Sequence, residues 1–162
     1  MYFIPQPRKI EFKEAKEGQN GFVLSYQGYI VLDPSCGDGL TRQAALVQKA
    51  LEEKLGFALA LTRGEGRKGD VILEQCPQMG KEDYILTVDA ENVRITGGEA
   101  GVWYGCQTLQ QMVEQCGAVL PFVQIEDGPD IPNRGFYHDV TRGRVPKLSF
   151  LKKMADRMAY YK

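Results

Sequence analysis

The sequence predicts an α+β fold, an antiparallel or mixed sheet with two helices on one face, followed by one strand–loop–helix unit. Short alternating apolar runs recur between glycines and prolines from residue 9 to residue 125, and two segments repeat apolar residues at helical spacing. The segment 126–132, with two prolines and a glycine, then precedes one further strand and helix. We therefore place a domain boundary before residue 127, with domains 1–126 and 127–162.

Length and charge limit the classes of protein to which the chain can belong. Its 162 residues suit one ordinary domain with a small appendage, and its interspersed charges sum to −1. Such a charge distribution gives no strong positive electrostatic potential that would attract a polyanion. We therefore expect neither nucleic acid nor an acidic membrane as a partner. Without a long apolar run or a leader-like start, the cytoplasm is the default expectation. A secreted parent whose signal peptide has been removed is the alternative.

The cysteines and the histidine predict no metal or cofactor site. The four cysteines form no C-x-x-C pair, and His138 is the single histidine. This leaves no set of cysteine and histidine ligands for zinc, and we expect free, mostly buried thiols. His138 lies inside a predicted strand, where a lone histidine usually packs, so we assign it no role.

The first half of the chain predicts five strands and one helix. Strands are expected at 9–12, 22–25, 29–32, 57–61 and 71–73. Between the third and the fourth strand, Asp38 or Thr41 is expected to cap a helix that ends at Gly56. The apolar face of this helix should lie on the sheet, and it consists of Ala44, Val47, Leu51 and Leu55.

The loop 64–69 matches the G-x-G-x-x-G pattern of dinucleotide sites, with Asp89 about 20 residues further on. A dinucleotide site needs a helix after the third glycine, because the N-terminus of that helix holds the pyrophosphate. The residues that follow Gly69 predict a strand instead, and nothing downstream resembles the rest of a kinase signature. We interpret the loop as a solvated turn that binds no nucleotide.

The second half predicts a hairpin, a helix and a last strand. Residues 84–89 and 93–96 alternate around a short turn, and two glycines then break the chain before the helix. The helix should end at Gly117, and its apolar face is Val102, Cys106, Leu109, Val113 and Cys116. A final strand is expected at 119–125.

The stretch 134–146, Arg-Gly-Phe-Tyr-His-Asp-Val-Thr-Arg-Gly-Arg-Val-Pro, is the candidate site. A strand is expected at 136–140, so the charged residues collect at its two ends and in the loop that follows. These residues are Arg134, Asp139, Arg142 and Arg144. Leu151, Met154, Met158 and Tyr161 recur afterwards at helical spacing. Strand, loop and helix form one β/α unit, of the kind whose strand ends carry the chemistry of α/β barrels.

Two segments carry a resemblance to a known family. The first is Ile95-Thr96-Gly97-Gly98 followed by Ala100-Gly101-Val102-Trp103-Tyr104-Gly105-Cys106-Gln107-Thr108-Leu109. The second is Ile125-Glu126-Asp127-x-Pro129 followed by Arg134-Gly135, Asp139 and Arg142. They resemble the second-helix segment and the entry into the catalytic barrel of glycoside hydrolase family 20, the β-N-acetylhexosaminidases. The resemblance implies a small α/β domain ahead of a TIM barrel of which this chain holds only the first β/α unit. Gly143-Arg144 departs from the family's usual histidine and aromatic.

The resemblance implies a role for the charged residues of the site. Arg134 matches the barrel arginine that hydrogen-bonds hydroxyls of the terminal N-acetylhexosamine, and a guanidinium with five donors suits two neighbouring hydroxyls. Asp139 would orient that arginine or the following loop, or would instead cap turn amides at the strand end. Arg142 and Arg144 are weaker candidates for substrate binding.

The implied chemistry is retaining and substrate-assisted: the sugar's own acetamido oxygen attacks the anomeric carbon while an acid protonates the leaving group. The family's Asp-Glu pair belongs to a later barrel strand, so we expect no catalytic residue in this chain. We expect an inactive fragment of an exo-β-N-acetylhexosaminidase that acts on glycans containing N-acetylhexosamine. The alternative is a non-catalytic carbohydrate or protein interaction domain. Self-association through the truncated barrel segment is a further expectation, because its strand edge and helix stripe would be exposed.

Overall fold

The computed structural model of the protein describes all residues except 15–17, 19 and 144. The chain divides into two compact units, Met1–Gly128 and Pro129–Lys162. The predicted domain boundary, before residue 127, lies two residues from this division. Among the described residues, no helix combines the length and the apolar character needed to cross a membrane.

The described part of the first unit contains two helices and the strands of two sheets. The helices are α1 (Gly39–Leu55) and α2 (Gly101–Cys116). The first strands are β1 (Lys9–Phe12), β2 (Phe22–Val23), β3 (Tyr29–Leu32), β4 (Ala60–Arg63) and β5 (Val71–Gln75). The later strands are β6 (Tyr84–Val88), β7 (Val93–Gly97), β8 (Val119–Leu120) and β9 (Val123–Asp127).

Seven strands form one mixed sheet in the order β1-β9-β6-β7-β5-β3-β4. β4, β3, β5 and β7 are parallel neighbours, whereas β7, β6, β9 and β1 are antiparallel neighbours. The predicted hairpin is therefore confirmed as β6 and β7. The small antiparallel pair β2 and β8 forms a separate sheet. These findings confirm the predicted α+β class with a mixed sheet.

The core lies between the large sheet and the two helices. α1 contacts β3 and β4, α2 contacts β5, β6 and β7, and the helices contact each other. Alternate residues of the strands point into this layer, as in β6, where Tyr84, Leu86 and Val88 are buried. Leu109 and Met112 of α2 are also fully buried. Both helices therefore lie side by side on one face of the sheet, as predicted.

The helix α1 ends where the sequence predicts but begins differently. Gly56 adopts a left-handed conformation with φ 78°, which a glycine accepts without strain. The predicted caps do not act through the helix amides, since the Asp38 side chain makes no cap hydrogen bond. The side chains of Asp38 and Thr41 instead accept hydrogen bonds from Arg63, at the end of β4. Arg63 Nη2 lies 3.5 Å from Asp38 Oδ1 and 3.3 Å from Thr41 Oγ1. The same guanidinium donates to the carbonyls of Cys36 and Gly37, so it closes the loop before α1.

Three strand predictions are wrong in their bounds. The strand expected at 22–25 ends at Val23 and pairs outside the main sheet. The strand expected at 57–61 begins only at Ala60. The strand expected at 119–125 is divided into β8 and β9, because Pro121 between them has no N–H to give to a ladder.

The described residues of the second unit form one helix, α3 (Leu148–Tyr160), which confirms the predicted helix. The strand predicted at 136–140 is not formed, and this segment is exposed. A strand needs hydrogen bonds from a neighbouring strand, whereas a helix closes its own hydrogen bonds along the chain. None of the described residues of the second unit is buried. The predicted β/α unit is therefore present only as its helix.

Candidate functional site

Arg134 lies in the exposed segment that precedes α3. Its guanidinium donates from Nη1 to the carbonyl oxygen of Ile131 over 2.8 Å and from Nε to that of Lys162 over 3.2 Å. The guanidinium therefore binds oxygen acceptors at both ends of the second unit. The side chain remains open to solvent, where these acceptors can be exchanged for others.

Asp139 holds a turn in this structure. Its Oδ1 accepts hydrogen bonds from the Thr141 amide at 2.8 Å and from the Thr141 hydroxyl at 2.6 Å. The hydroxyl bond is the main reason that the pKa of Asp139 is lowered from its ordinary value, and the amide bond is the next. Arg142 Nε lies 4.0 Å from Asp139 Oδ2, but its side chain is 91% exposed. This geometry corresponds to the turn-capping alternative for Asp139.

The predicted site residues are brought together only in part. Asp139 and Arg142 meet across one turn, while the hydrogen bonds of Arg134 run to Ile131 and Lys162. Arg144 lies outside the described residues. His138 stacks on Phe136 with ring centroids 5.9 Å apart. It also lines a half-open cavity of about 510 Å³ with Val145, Pro146, Lys147, Ser149 and Phe150.

The loop 64–69 is a turn with exposed Glu65, Arg67 and Lys68, as predicted, and its Gly66 packs against the sheet. Gly66 lies so close to the buried Ile72 side chain that a Cβ would not fit. Asp70, almost fully buried, accepts from the amides of Tyr29 at 2.9 Å and Arg67 at 2.8 Å. The Arg67 guanidinium lies 5.6 Å from the Tyr29 ring centroid. Since β5 follows the loop, no helix N-terminus is there to hold a pyrophosphate.

A buried hydroxyl joins the two segments that carry the family resemblance. Tyr84 OH lies 2.6 Å from Thr108 Oγ1 in α2 and donates to Asp127 Oδ2 at the end of β9 over 2.9 Å. A Cβ at Gly105 would overlap Cγ2 of Ile95 and lie 3.0 Å from Cδ2 of the Tyr84 ring, so the glycine lets α2 pack closely on both side chains one turn before Thr108 contacts the Tyr84 hydroxyl. Burial is the main cause that raises the pKa of Tyr84, so the hydroxyl stays protonated.

This tyrosine network was missed by sequence reasoning. The available signal was the spacing of Gly105 and Thr108, which places a small residue and a hydroxyl on one face of a helix. The signal is weak, because nothing in the sequence says which aromatic residue would lie against that face. Only the sheet register places Tyr84 opposite Asp127.

The glycines before α2 pack against the loop 80–83. A Cβ at Gly98 or at Gly101 would overlap main-chain carbonyls of this loop. The amides of Gly98, Ala100 and Gly101 donate to the carbonyls of Asp83 and Lys81 at 2.8–3.2 Å. These contacts satisfy helix-end amides that would otherwise lack partners. The glycines of the first resembling segment therefore permit close backbone packing.

The cysteines are free thiols in two environments. Cys36 and Cys106 are buried, whereas Cys76 and Cys116 are partly exposed. Burial raises the pKa of the Cys106 thiol to about 12 and also raises the pKa of Cys36, whose Sγ donates to the Leu73 carbonyl. Within the described residues, no group of three His, Cys, Asp or Glu side chains is arranged to hold a metal ion.

Comparison with known proteins decides the family. The family model for Glycosyl hydrolase family 20, domain 2, matches residues 1–128, which is the whole of the first unit. The chain belongs to glycoside hydrolase family 20. The resemblance drawn from residues 95–109 and 125–129 is thereby confirmed, and the Tyr84 network lies within the matched residues.

Two curated relatives of the chain are named β-hexosaminidases. The protein of Akkermansia muciniphila is 36% identical over 93 residues, which are 55% of this chain and 19% of the relative. The protein of Porphyromonas gingivalis is 33% identical over 132 residues, which are 74% of this chain and 17% of the relative. The chain thus spans about a fifth or less of the length of these two curated relatives.

Solved structures of family 20 enzymes share the fold of the chain. The β-N-acetylhexosaminidase of Streptomyces coelicolor A3(2) matches with a TM-score of 0.70 at 30% identity, over 98% of this chain and 32% of that one. A Streptomyces plicatus β-hexosaminidase, solved as a mutant with its product GlcNAc, matches with a TM-score of 0.72 at 28% identity. That match covers 99% of this chain and 32% of the other.

Proposed function

We propose that the chain is an amino-terminal part of a retaining, substrate-assisted exo-β-N-acetylhexosaminidase, and that the 162 residues alone are inactive. The longer enzyme would remove terminal N-acetylhexosamine from glycans. The match of family 20 domain 2 to residues 1–128, followed at once by the arginine-rich segment, carries this proposal. The sequence has no Asp-Glu dipeptide, so the acid and the acetamido-orienting carboxylate would come from elsewhere in the longer protein.

The proposed contribution of this chain to the reaction is substrate binding by Arg134. A planar guanidinium can donate to two neighbouring sugar hydroxyls at once, which a lysine ammonium does with less geometric control. The acceptors that Arg134 uses here are exposed main-chain carbonyls, and sugar hydroxyls offer the same type of oxygen acceptor. Binding of the terminal sugar would therefore replace hydrogen bonds of similar kind.

Asp139 and Arg142 are weaker candidates than Arg134 for a role in substrate binding. Asp139 would hold the loop after Arg134 in shape through its bonds to Thr141. Arg142 would add positive charge beside that loop, and its exposure leaves its donors accessible. We further propose that 1–126 is a supporting domain and that 127–162 begins the catalytic barrel, with the strand at 136–140 forming when neighbouring strands are present.

The direct test is hydrolysis of an aryl N-acetyl-β-glucosaminide. We expect the 162-residue chain to give no turnover above a buffer blank, and the longer protein to be active. In the longer protein, Arg134→Ala should lower kcat/KM at least roughly tenfold, since it removes charge-assisted hydrogen bonds of about 1.5–3 kcal/mol. Turnover by the short chain, or unchanged kinetics of the variant, would contradict the proposal.

A matched control uses a second exposed arginine. Arg42 lies on the exposed surface of α1, so Arg42→Ala removes the same charge and volume away from the proposed site. Its kinetics should equal those of the wild type. Arg134→Lys keeps the charge without the planar donor pair, and we expect it to recover only part of the loss.

The second candidate is a non-catalytic carbohydrate or protein interaction domain. The exposed aromatic residues Phe136, Tyr137 and Phe150 favour it, because exposed rings are typical of interaction surfaces. Sequence beyond residue 162 that lacks an Asp-Glu pair, together with binding of N-acetylglucosamine oligomers without hydrolysis, would support this candidate. Calorimetric titration of the 162-residue chain with such oligomers measures the binding.

A further inference from the structure

Two glutamines of α2 hold the main chain at residues 2–4. Gln115 accepts from the amide of Tyr2 over 3.0 Å and donates to its carbonyl over 2.7 Å. Gln111 makes the same pair of bonds with Ile4, over 2.9 Å and 2.8 Å. A further bond from Gln115 Nε2 to the Gln111 carbonyl, at 3.0 Å, orients the first amide. Each glutamine therefore binds both main-chain groups of one residue, as a residue of a neighbouring antiparallel strand would.

The spacing of these contacts follows from the dimensions of a helix and a strand. Residues four apart in a helix lie on one face and are separated by about 6 Å along its axis. Residues two apart in an extended chain are separated by about 6.6 Å and direct their main-chain groups to the same side. Because the two distances are similar, side-chain amides at every fourth helical position can bind alternate residues of an extended segment.

The residue between the two contacts is anchored in the core. Phe3 is 5% exposed and belongs to the core cluster, whereas Tyr2 and Ile4 are 69% and 53% exposed. Side chains alternate along an extended chain, so the middle side chain points away from those of its neighbours. Main-chain hydrogen bonds and one buried aromatic side chain therefore hold the segment, as in the recognition of peptides by strand addition.

A third glutamine continues the same stripe of α2. Gln107 precedes Gln111 by four residues, so by the same spacing it would meet residue 6 of the segment. Its side chain is 3% exposed, and its Oε1 accepts from Gln110 Nε2 at 3.3 Å. Its Nε2 has no hydrogen-bond acceptor among the described residues. Leaving a buried donor without an acceptor is costly, so this amide points to an acceptor that the chain does not itself supply.

We propose that Gln107, Gln111 and Gln115 form a recognition stripe for the main chain of an extended peptide that carries an aromatic side chain between two of the contacts. The chain's own residues 2–4 occupy two of the three positions. Pro5 and Pro7 flank the residue that would take the third, and the φ fixed by their rings departs from that of an extended strand. This inference is independent of the proposed function.

Peptide binding tests the stripe. In the 162-residue chain, Phe3→Asp should release the segment, because an ionised carboxylate is costly to bury, and the Ile4 amide should then exchange faster. A synthetic peptide of residues 1–8 should bind this variant saturably and shift the side-chain amide signals of Gln111 and Gln115 in NMR spectra. The wild type should bind it at least about tenfold more weakly, because its own segment competes at a high effective concentration.

Either of two results would overturn the proposal. One is an NMR titration of the Phe3→Asp chain without saturable shifts. The other is an Ile4 amide that stays protected in this chain, because the aromatic side chain would then not be an anchor. Phe3→Ala, which empties the same position without adding a charge, should bind the peptide as Phe3→Asp does and serves if the charged variant does not fold.

The matched control removes a glutamine elsewhere. In the Phe3→Asp chain, Gln111→Leu should weaken peptide binding at least roughly tenfold, because two hydrogen bonds to the peptide are lost. Gln43→Leu removes the same amide from a partly exposed position of α1, and it should leave the affinity unchanged within about twofold. Equal losses for the two variants would overturn the proposal.

A second peptide tests Gln107. A peptide of residues 1–8 with alanine in place of Pro5 and Pro7 should bind the Phe3→Asp chain at least about threefold more tightly than the natural peptide, because residue 6 can then reach the third amide. Gln107→Leu should abolish this gain. Equal affinities of the two peptides, or a gain that survives Gln107→Leu, would overturn the three-position register and with it the proposal.

Discussion

The first unit has a continuous buried core, whereas none of the described residues of the second unit is buried. Their helices show the contrast most clearly. α2 buries residues on several sides, from Val102 to Val113, while α3 has no buried residue. The two helices are of similar length, so the difference lies in what surrounds them. α2 has a sheet and a second helix as neighbours, and α3 lacks such a layer within its own unit.

The contrast separates the local from the non-local sources of structure. A helix forms its hydrogen bonds within its own segment, so α3 can form without a core. The segment 136–140 has the composition of a strand but no described partner strand, so its amides and carbonyls have no ladder to join. The strands of the first unit therefore have neighbouring strands to hydrogen-bond with, whereas the segment 136–140 has none among the described residues.

The largest expected difference between the two units appears when they are separated. A chain ending at Gly128 should unfold cooperatively in urea, with a free energy of unfolding within about 0.5 kcal/mol of the 162-residue chain. A peptide of residues 129–162 should show little structure by circular dichroism, because a lone helix of this length is marginal in water. If the chain ending at Gly128 is unfolded, the second unit belongs to the first core.

The same pair of chains tests self-association. The second unit exposes apolar side chains at Phe136, Tyr137, Val145, Leu148 and Phe150. In sedimentation velocity, the full chain should shift to larger species as its concentration rises, while the chain ending at Gly128 should stay monomeric. A full chain that remains monomeric at all concentrations would contradict this expectation.

The next effect compares one leucine from each helix. Leu109→Ala in α2 should lower the free energy of unfolding by about 2–5 kcal/mol, because it leaves a cavity at a fully buried position. Leu148→Ala in α3, where the side chain is 67% exposed, should change it by less than about 0.5 kcal/mol. Urea titration measures both. Similar losses for the two variants would show that α3 is buried in solution.

A smaller effect concerns thiol reactivity. With a disulfide reagent at pH near 8, Cys76 and Cys116 should react in the native protein because both are partly exposed. Cys36 and Cys106 should react only after unfolding, since burial shields them and the raised pKa of Cys106, about 12, leaves little thiolate. Removal of one buried thiol by Cys106→Ala should leave the native reaction unchanged. Rapid native reaction of all the thiols would contradict the burial of Cys36 and Cys106.

The smallest effect lies in the Asp139 turn. The pKa of Asp139 is lowered in the folded turn, so its stabilising contribution is present above the ordinary pKa and is lost as the pH falls through the lowered value. Carboxyl carbon shifts in an NMR titration report this pKa. Thr141→Ala removes the hydroxyl donor and should raise the pKa of Asp139 towards its ordinary value. An unchanged titration would show that the turn is not formed in solution.

Much of the first unit was predictable from local pattern. The helix ending at Gly56, the hairpin of β6 and β7 and the apolar face of α2 all follow from periodicity and turn residues that neighbours in the chain supply. The errors occurred where a distant residue competes with the local signal. Arg63, distant in sequence, contacts the side chains of Asp38 and Thr41, and Asp38 makes no cap hydrogen bond.

The sequence by itself determined the family, the α+β class and the residues proposed to bind substrate, because these depend on residue identity and spacing along the chain. Only the tertiary structure decided that Tyr84 joins Thr108 to Asp127, since the sheet register and the packing of α2 bring together residues far apart in sequence. It also decided that 136–140 is not a strand in this structure. The physical reason is the same in both cases: β pairing and side-chain packing require partners that local sequence does not specify.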